Sequence, residues 1–216
     1  MSKPRIKLDI VSDVVCPWCY IGKRRVEKAI AALADEFEFD VRYLPFELNP
    51  LMPEAGVPQK PYLTAKFGGA GQYDKITRQV REAAAGEGLA FDFDKQLVAP
   101  NTRLAHRLIW LAGQRGVQPA VKEALMSAYF EKGVDLSKKE NLIDIVTGAG
   151  LDETEATALV NSTNGLREVT EIESTHHQRG ISSVPFYIVD DRVGISGAQP
   201  PEVFVQAFRE IRAQKD

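Results

Sequence analysis

With 27 basic side chains against 30 acidic ones in 216 residues, the chain has a net charge of only −3. That is too weak a field to hold nucleic acid or an anionic membrane. Its 44% hydrophobic and 26% charged residues are the composition of an ordinary globular protein with a full core. No run reaches the roughly 18 apolar residues of a membrane helix, and residues 1–15 alternate apolar and charged side chains instead of forming the apolar block of a secretory signal. A soluble, cytoplasmic protein without nucleic-acid or membrane partners is expected.

Residues 5–11 place Ile6, Leu8 and Ile10 on one side of an extended segment, which reads as a strand. Over residues 18–34 the period becomes helical, with Tyr20, Val26, Ile30, Leu33 and Ala34 forming the apolar stripe. Lys23, Arg24, Arg25 and Lys28 lie between them, and the first three read as a solvated face. A second strand at residues 40–46 completes a strand, helix, strand unit, which normally makes a parallel crossover. Pro50, Pro53, Gly56 and Pro58 mark residues 49–60 as a loop or boundary.

From there to Gly180 the pattern is helical. Asn101 is placed to cap a helix carrying Leu104, Leu108 and Leu111, and Val121, Leu125 and Tyr129 repeat the spacing in the next. Ser137 with Glu140, and Asp152 with Glu155, have the spacing of capping boxes. Residues 165–179 read as one more helix, whereas residues 68–71, though glycine-rich, follow no strand and read as a loop, not a phosphate cradle. Strand patterns return at residues 185–189 and 193–196, close enough for an antiparallel hairpin. An amphipathic helix over residues 201–214 ends the chain, with Val203, Phe204, Ala207, Phe208 and Ile211 inward. The expected architecture is α/β: a discontinuous domain, residues 1–50 and 180–216, split by a helical insertion, residues 51–179.

The chemistry is concentrated in Cys16-Pro17-Trp18-Cys19, the only cysteines of the chain, where a strand hands over to a helix. In a reducing compartment such a pair points to chemistry more than to architecture. The unpaired N–H groups and positive dipole end of the first turn would favour a thiolate at Cys16, making it the nucleophile. Pro17 suits a first helical turn, and Cys19, three residues on, returns to the same face as a resolving thiol. Two alternatives stay open: the cysteines as small buried hydrophobes, or a zinc site completed by His176 and His177. Adjacent histidines on a helix point about a hundred degrees apart, which argues against the zinc site, and no metal is expected. In Ser183-Val184-Pro185-Phe186 a proline begins a strand. A cis bond before Pro185 would offer the Val184 backbone to a substrate cysteine as an unpaired edge.

Taken together, these residues resemble the thioredoxin superfamily, and the helical insertion resembles its DsbA-like branch. The stretches VVCPWCYIGKRR, NTRLAHRL and SVPFYIVDDRVGISGAQPPEVF are similar to the FrnE-type cytoplasmic members. The resemblance covers nearly the whole chain. It implies a thioredoxin-like fold, a mixed four-stranded sheet with flanking helices and a large all-helical insertion, with Cys16 attacking, Cys19 resolving and a cis Pro185 beside them. Relatives include isomerases, polyketide-pathway proteins and homodimers, so a homodimer is a candidate state.

The chain departs from the pattern in two places. Where well-studied relatives have a buried carboxylate six residues before the first cysteine, this chain has Ile10. Asp9 faces the other way by strand alternation, and Asp13 reads as a solvated loop residue in preference to a proton acceptor. Glutathione-binding relatives, among them kappa-class transferases and chromene-carboxylate isomerases, usually carry a serine at the attacking position and an aspartate after Ser-Gly-Ala, where this chain has Cys16 and Gln199. Ser196, Gln199 and the Val184 backbone remain candidate glutathione contacts. Asn101 and His106 match family positions facing the site, against plainer readings as a helix cap and a surface histidine. Trp18 reads as the rim of the site or as packing against the insertion.

Three functions follow from these residues. The first is dithiol-disulfide exchange with protein or small-thiol substrates, with no bound cofactor and glutathione as a candidate co-substrate. The others are a glutathione-dependent isomerase or transferase, and a non-catalytic peptide- or metal-binding module. The direction of electron flow is not legible in the motif.

Overall fold

The computed structural model describes residues 3–213. The end expected for the last helix at Gln214 lies outside them. Strand β1 (Arg5–Ser12), helix α1 (Pro17–Ala32) and strand β2 (Glu38–Pro45) come first. The hairpin strands β5 (Phe186–Val189) and β6 (Val193–Ser196) and helix α9 (Pro201–Ala213) come last. These strands form one mixed sheet in the order β2-β1-β5-β6. β1 runs parallel to β2, with Ile10 opposite Tyr43, and antiparallel to β5, with Ile10 opposite Tyr187. It is a central strand covered on both faces, which explains why Val11, at 0% exposure, is as buried as Leu8. The β5–β6 turn is made by Asp190 and Asp191 at φ 51° and 59°, a left-handed conformation that aspartate tolerates better than bulky residues. Lys7 pins both, its N–H donating to Asp190 Oδ1 at 3.0 Å and its ammonium to Asp191 at 2.7 Å.

Between β2 and β5 run β3 (Val57–Pro58), α2 (Gln59–Lys66), α3 (Ala70–Gly86), β4 (Val98–Ala99), α4 (Arg103–Gln114), α5 (Gln118–Phe130), α6 (Lys139–Gly148), α7 (Glu153–Val160) and α8 (Leu166–Gln178). The insertion is therefore not all-helical. β3 and β4 pair antiparallel, Val57 opposite Ala99, and strands of two residues are too short to show alternation in sequence. Gly56 lets them close: at φ 69°, a Cβ there would collide with Val98 and the Ala99 carbonyl.

Local expectations are also corrected. Gly68 and Gly69 form a turn, but Ala70 and Gly71 already belong to α3. Ser137 makes no capping box, because its hydroxyl donates to Asp135 at 2.6 Å and α6 starts after Lys138 without a side-chain cap. Asp152 does cap α7, accepting the Glu155 N–H at 2.9 Å, while the Glu155 carboxylate pairs with Arg115. Asn101 accepts the Arg103 N–H at 3.0 Å from just ahead of α4.

Sheet and insertion share one hydrophobic cluster. Ile6, Leu8 and Ile10 join Tyr20 and Val26 of α1, Leu108 of α4, Val121 and Leu125 of α5, and Phe204 and Phe208 of α9. This common core seats the insertion helices directly over the end of β1 and the start of α1.

Candidate active site at the start of the first helix

β1 ends in a tight turn, Cys16 N–H donating to the Asp13 carbonyl, and Cys16 becomes the N-cap of α1 in extended conformation. Pro17 occupies the first turn, where it forfeits no hydrogen bond. The Cys19 N–H closes that turn onto the Cys16 carbonyl at 3.0 Å. Both cysteines are thiols, at 5% and 3% exposure. The Cys16 thiol donates to the Val184 carbonyl at 3.7 Å, joining positions 168 residues apart, and the Val184–Pro185 peptide is cis. Gly22 of α1 makes that approach fit, because a Cβ there would strike Tyr187 Oη and crowd Pro185 and Ala198.

Cys19 lies behind Cys16. Burial, together with hydrogen bonding and charge from Cys16, pushes its thiol well above the ordinary cysteine value. Asp13 is not a solvated loop residue; it is 0% exposed. Burial alone would raise its carboxyl, but His106, with Nε2 at 3.2 Å, and the Leu48 N–H, at 2.9 Å, hold it below the usual carboxylate range. His106 is accordingly no surface histidine; α4 carries it, 2% exposed, onto Asp13.

The basic residues of α1 are not a solvated face either. Lys23 is 4% exposed, and with Arg24 and the Tyr20 hydroxyl it converges on Glu123 of α5. Arg25 pairs with Glu87 and donates to the Ala198 carbonyl, tying α1 to the segment after β6.

A cavity of about 340 Å³ opens beside Cys16 and Trp18. Met52, Leu63, Ile76, Val80, Phe93 and Tyr129 give it largely apolar walls. Gln59 and Gln96, both buried and joined amide to amide at 3.1 Å, supply neutral polar groups. Trp18, 41% exposed, stands at its mouth. Other sequence candidates lie elsewhere. Asn101 faces a separate surface cleft with Arg103 and Ser162 while its amide holds the Met52 carbonyl. Ser196 is exposed, and Gln199 donates to its carbonyl at 2.8 Å. His176 is buried against the Pro45 carbonyl, and His177 packs on Phe46. Among the described residues, no cluster of His, Cys, Asp or Glu is arranged to hold a metal.

Sequence reasoning missed Lys122, a cation 1% exposed on α5 whose pKa burial lowers to about 8 against the opposing pull of Cys19, Asp13 and Cys16. A signal was present: Lys122 shares a helix face with Met126, also fully buried.

Comparison with known proteins agrees with this fold. The model of the DSBA-like thioredoxin domain matches residues 7–209. The structure of the probable DsbA oxidoreductase SCO1869 from Streptomyces coelicolor superposes with a TM-score of 0.86 at 36% identity, covering 95% of this chain and 89% of that one. The uncharacterized protein YwbO of Bacillus subtilis is 25% identical over 211 residues, 97% of this chain and 99% of its own. The cytosolic disulfide reductase DsbM from Pseudomonas aeruginosa, solved with GSH, shares the fold with a TM-score of 0.65 at 16% identity, over 96% and 99% of the two chains. No helix among the described residues is long and apolar enough to cross a membrane.

Proposed function

Because the chain belongs to the DSBA-like thioredoxin domain family, whose structural neighbours include oxidoreductases, we propose that it is a thiol-disulfide oxidoreductase working through Cys16 and Cys19. Cys16 attacks a substrate disulfide, its sulfur bonding to one substrate sulfur while the other leaves as a thiol. Cys19 then attacks Cys16, closing the protein disulfide and releasing the second substrate thiol. The substrate disulfide is reduced and the dithiol oxidised; the reverse sequence oxidises a substrate dithiol.

The observation that carries this reading is the contact between Cys16 Sγ and the Val184 carbonyl. A substrate sulfur joined to Cys16 would lie along the chain entering β5, where backbone groups can hold a peptide without side-chain specificity. The division of labour follows from the elevated Cys19 thiol: a sulfur kept protonated by burial is a poor first nucleophile and attacks only when held against a mixed disulfide. A cytoplasmic setting belongs to the same reading, since two cysteines used for chemistry and no others suit a reducing compartment. So does a place among the FrnE-type members.

The test is a Cys19→Ser variant incubated with cell extract or a model disulfide. It is expected to accumulate mixed disulfides through Cys16, identified by mass spectrometry, while wild type resolves them. Absence of any adduct would remove Cys16 as nucleophile.

The cavity beside Cys16 favours a second reading, in which the partner is a small thiol such as glutathione and the protein acts as an isomerase or transferase. Its volume of about 340 Å³ is in the range of small-molecule sites. Gln199 is folded onto Ser196, so glutathione recognition by these two residues would require rearrangement. On this reading, turnover with glutathione survives Cys19→Ser; loss of turnover in that variant returns the assignment to dithiol exchange.

A further inference from the structure

The cavity that Cys16 and Trp18 share with the insertion has walls that restrict what it can hold. Gln59 and Gln96 stand in it because β3 and β4 bring them together: Pro58 pairs with Val98, and the Gln59 N–H extends the ladder to the Leu97 carbonyl at 3.0 Å. Both amides are buried, at 1% and 4% exposure. Their mutual bond of 3.1 Å uses one donor of Gln59 and one lone pair of Gln96. The remaining side-chain contacts, Tyr73 Oη to Gln59 Oε1 and Gln96 Nε2 to the Phe130 carbonyl, are both long at 3.5 Å. That carbonyl already accepts the Asp92 N–H at 2.8 Å. Each amide brings two N–H donors and an oxygen with two lone pairs, so the pair keeps capacity for a further hydrogen bond inside an otherwise apolar chamber.

Fixed charge is nearly absent from these walls. Asp13 is taken up by His106 and the Leu48 N–H. Lys66 is exposed, its ammonium over the Tyr62 ring and bonded to the Tyr62 hydroxyl at 3.4 Å. Among the described residues no other charged side chain lines the cavity. Glutathione carries two carboxylates and an ammonium, and moving such charges against these walls forfeits hydration with nothing to replace it. At about 340 Å³ the space lies at the small end of ligand sites, which suits a compact molecule.

We propose that this cavity is the substrate subsite of the Cys16 reaction, and that its occupant is a small, uncharged, mainly apolar disulfide with a neutral polar group that bonds Gln59 and Gln96. The assignment rests on the thiol-exchange reading above and names its substrate class. Cys16 attacks the sulfur that carries the seated group; the substrate S–S bond breaks, and the other half leaves with the electron pair and takes up the Cys16 proton. Cys19 then bonds to Cys16, and the seated thiol departs with the second pair and the Cys19 proton. The disulfide is reduced and the protein dithiol oxidised, so nothing further is required.

The experiment mixes the reduced protein by stopped flow with two aromatic disulfides of similar shape, neutral dipyridyl disulfide and the dianionic Ellman's reagent. Each rate is divided by that of N-acetylcysteine amide with the same reagent, at high salt to screen the net charge of −3. The neutral reagent is expected to show a normalised advantage of about tenfold or more, and its rate to saturate with concentration. Gln96→Leu should act on the half-saturating concentration, raising it about fivefold, more than on the limiting rate, because it removes a hydrogen bond to the seated group. Leu63→Trp, which fills the space from a half-buried wall, should abolish both the advantage and the saturation; it reads the same subsite should Gln96→Leu fold poorly. Equal normalised rates that stay linear in concentration, or a selectivity that Leu63→Trp leaves intact, overturn the subsite while the exchange reading stands. Saturation by a disulfide of an aromatic-flanked cysteine peptide, with none by the dipyridyl reagent, assigns the cavity to a polypeptide and overturns the small-molecule occupant. Absence of any Cys16 adduct with either reagent overturns the exchange reading and the subsite together.

Discussion

At the residue scale, the site depends on side chains whose meaning is set by what the fold places against them. Gly22 reads in sequence as one more helix residue, yet it is the point where α1 must admit Tyr187 and Pro185. Gly22→Ala is expected to cost about 1–3 kcal/mol by overpacking. It should also displace the Val184 carbonyl from Cys16, so that alkylation of Cys16 changes rate; urea unfolding and timed alkylation check the two effects. An unchanged midpoint would mean that the β5 entry yields without strain. The redox pair itself was legible, because two cysteines at helix spacing after a strand are a local pattern. Asp13 was not: a loop aspartate is ordinarily solvated, and a histidine 93 residues away on α4, together with the Leu48 N–H, makes its burial tolerable.

At the scale of elements, ion pairs and carboxyl clusters sew the insertion to the sheet. Glu123 joins α5 to α1 through Tyr20, Lys23 and Arg24. The apolar stripe of α1 was readable from its period, but its basic residues could not be assigned without knowing that α5 lies across them. Glu173 of α8 shows the opposite balance. Burial, then the charge of Glu47, raise its carboxyl from the ordinary value of 4.5 to about 8. The folded state therefore holds a proton that the unfolded chain releases above about pH 4.5. Stability from this group is present below that pH and falls as pH rises toward 8. Denaturant unfolding between pH 5 and 8 should show this decline, and Glu173→Gln should flatten it; a wild-type slope persisting in the variant would place the proton elsewhere.

At the scale of the molecule, residues from β1, α1, α4, α5 and α9 share one hydrophobic cluster, so the insertion is not a separate core on a tether. Sheet and insertion are expected to unfold in one transition, with fluorescence of Trp18 and Trp110 and far-UV circular dichroism coinciding; two resolved transitions would show the discontinuous segments and the insertion to be independent. The sequence alone determined the order of the four strands of the main sheet with helices α1 and α9, the cysteine pair at a helix start and the proline just ahead of β5, because periodicity, Pro17 and cysteine spacing act over a few residues. Only the tertiary structure decided that Cys16 meets Val184 and that Asp13 and His106 are buried together. Those juxtapositions join positions 168 and 93 residues apart, and the electrostatic environment of a thiol is set by what surrounds it in space, whatever the separation along the chain.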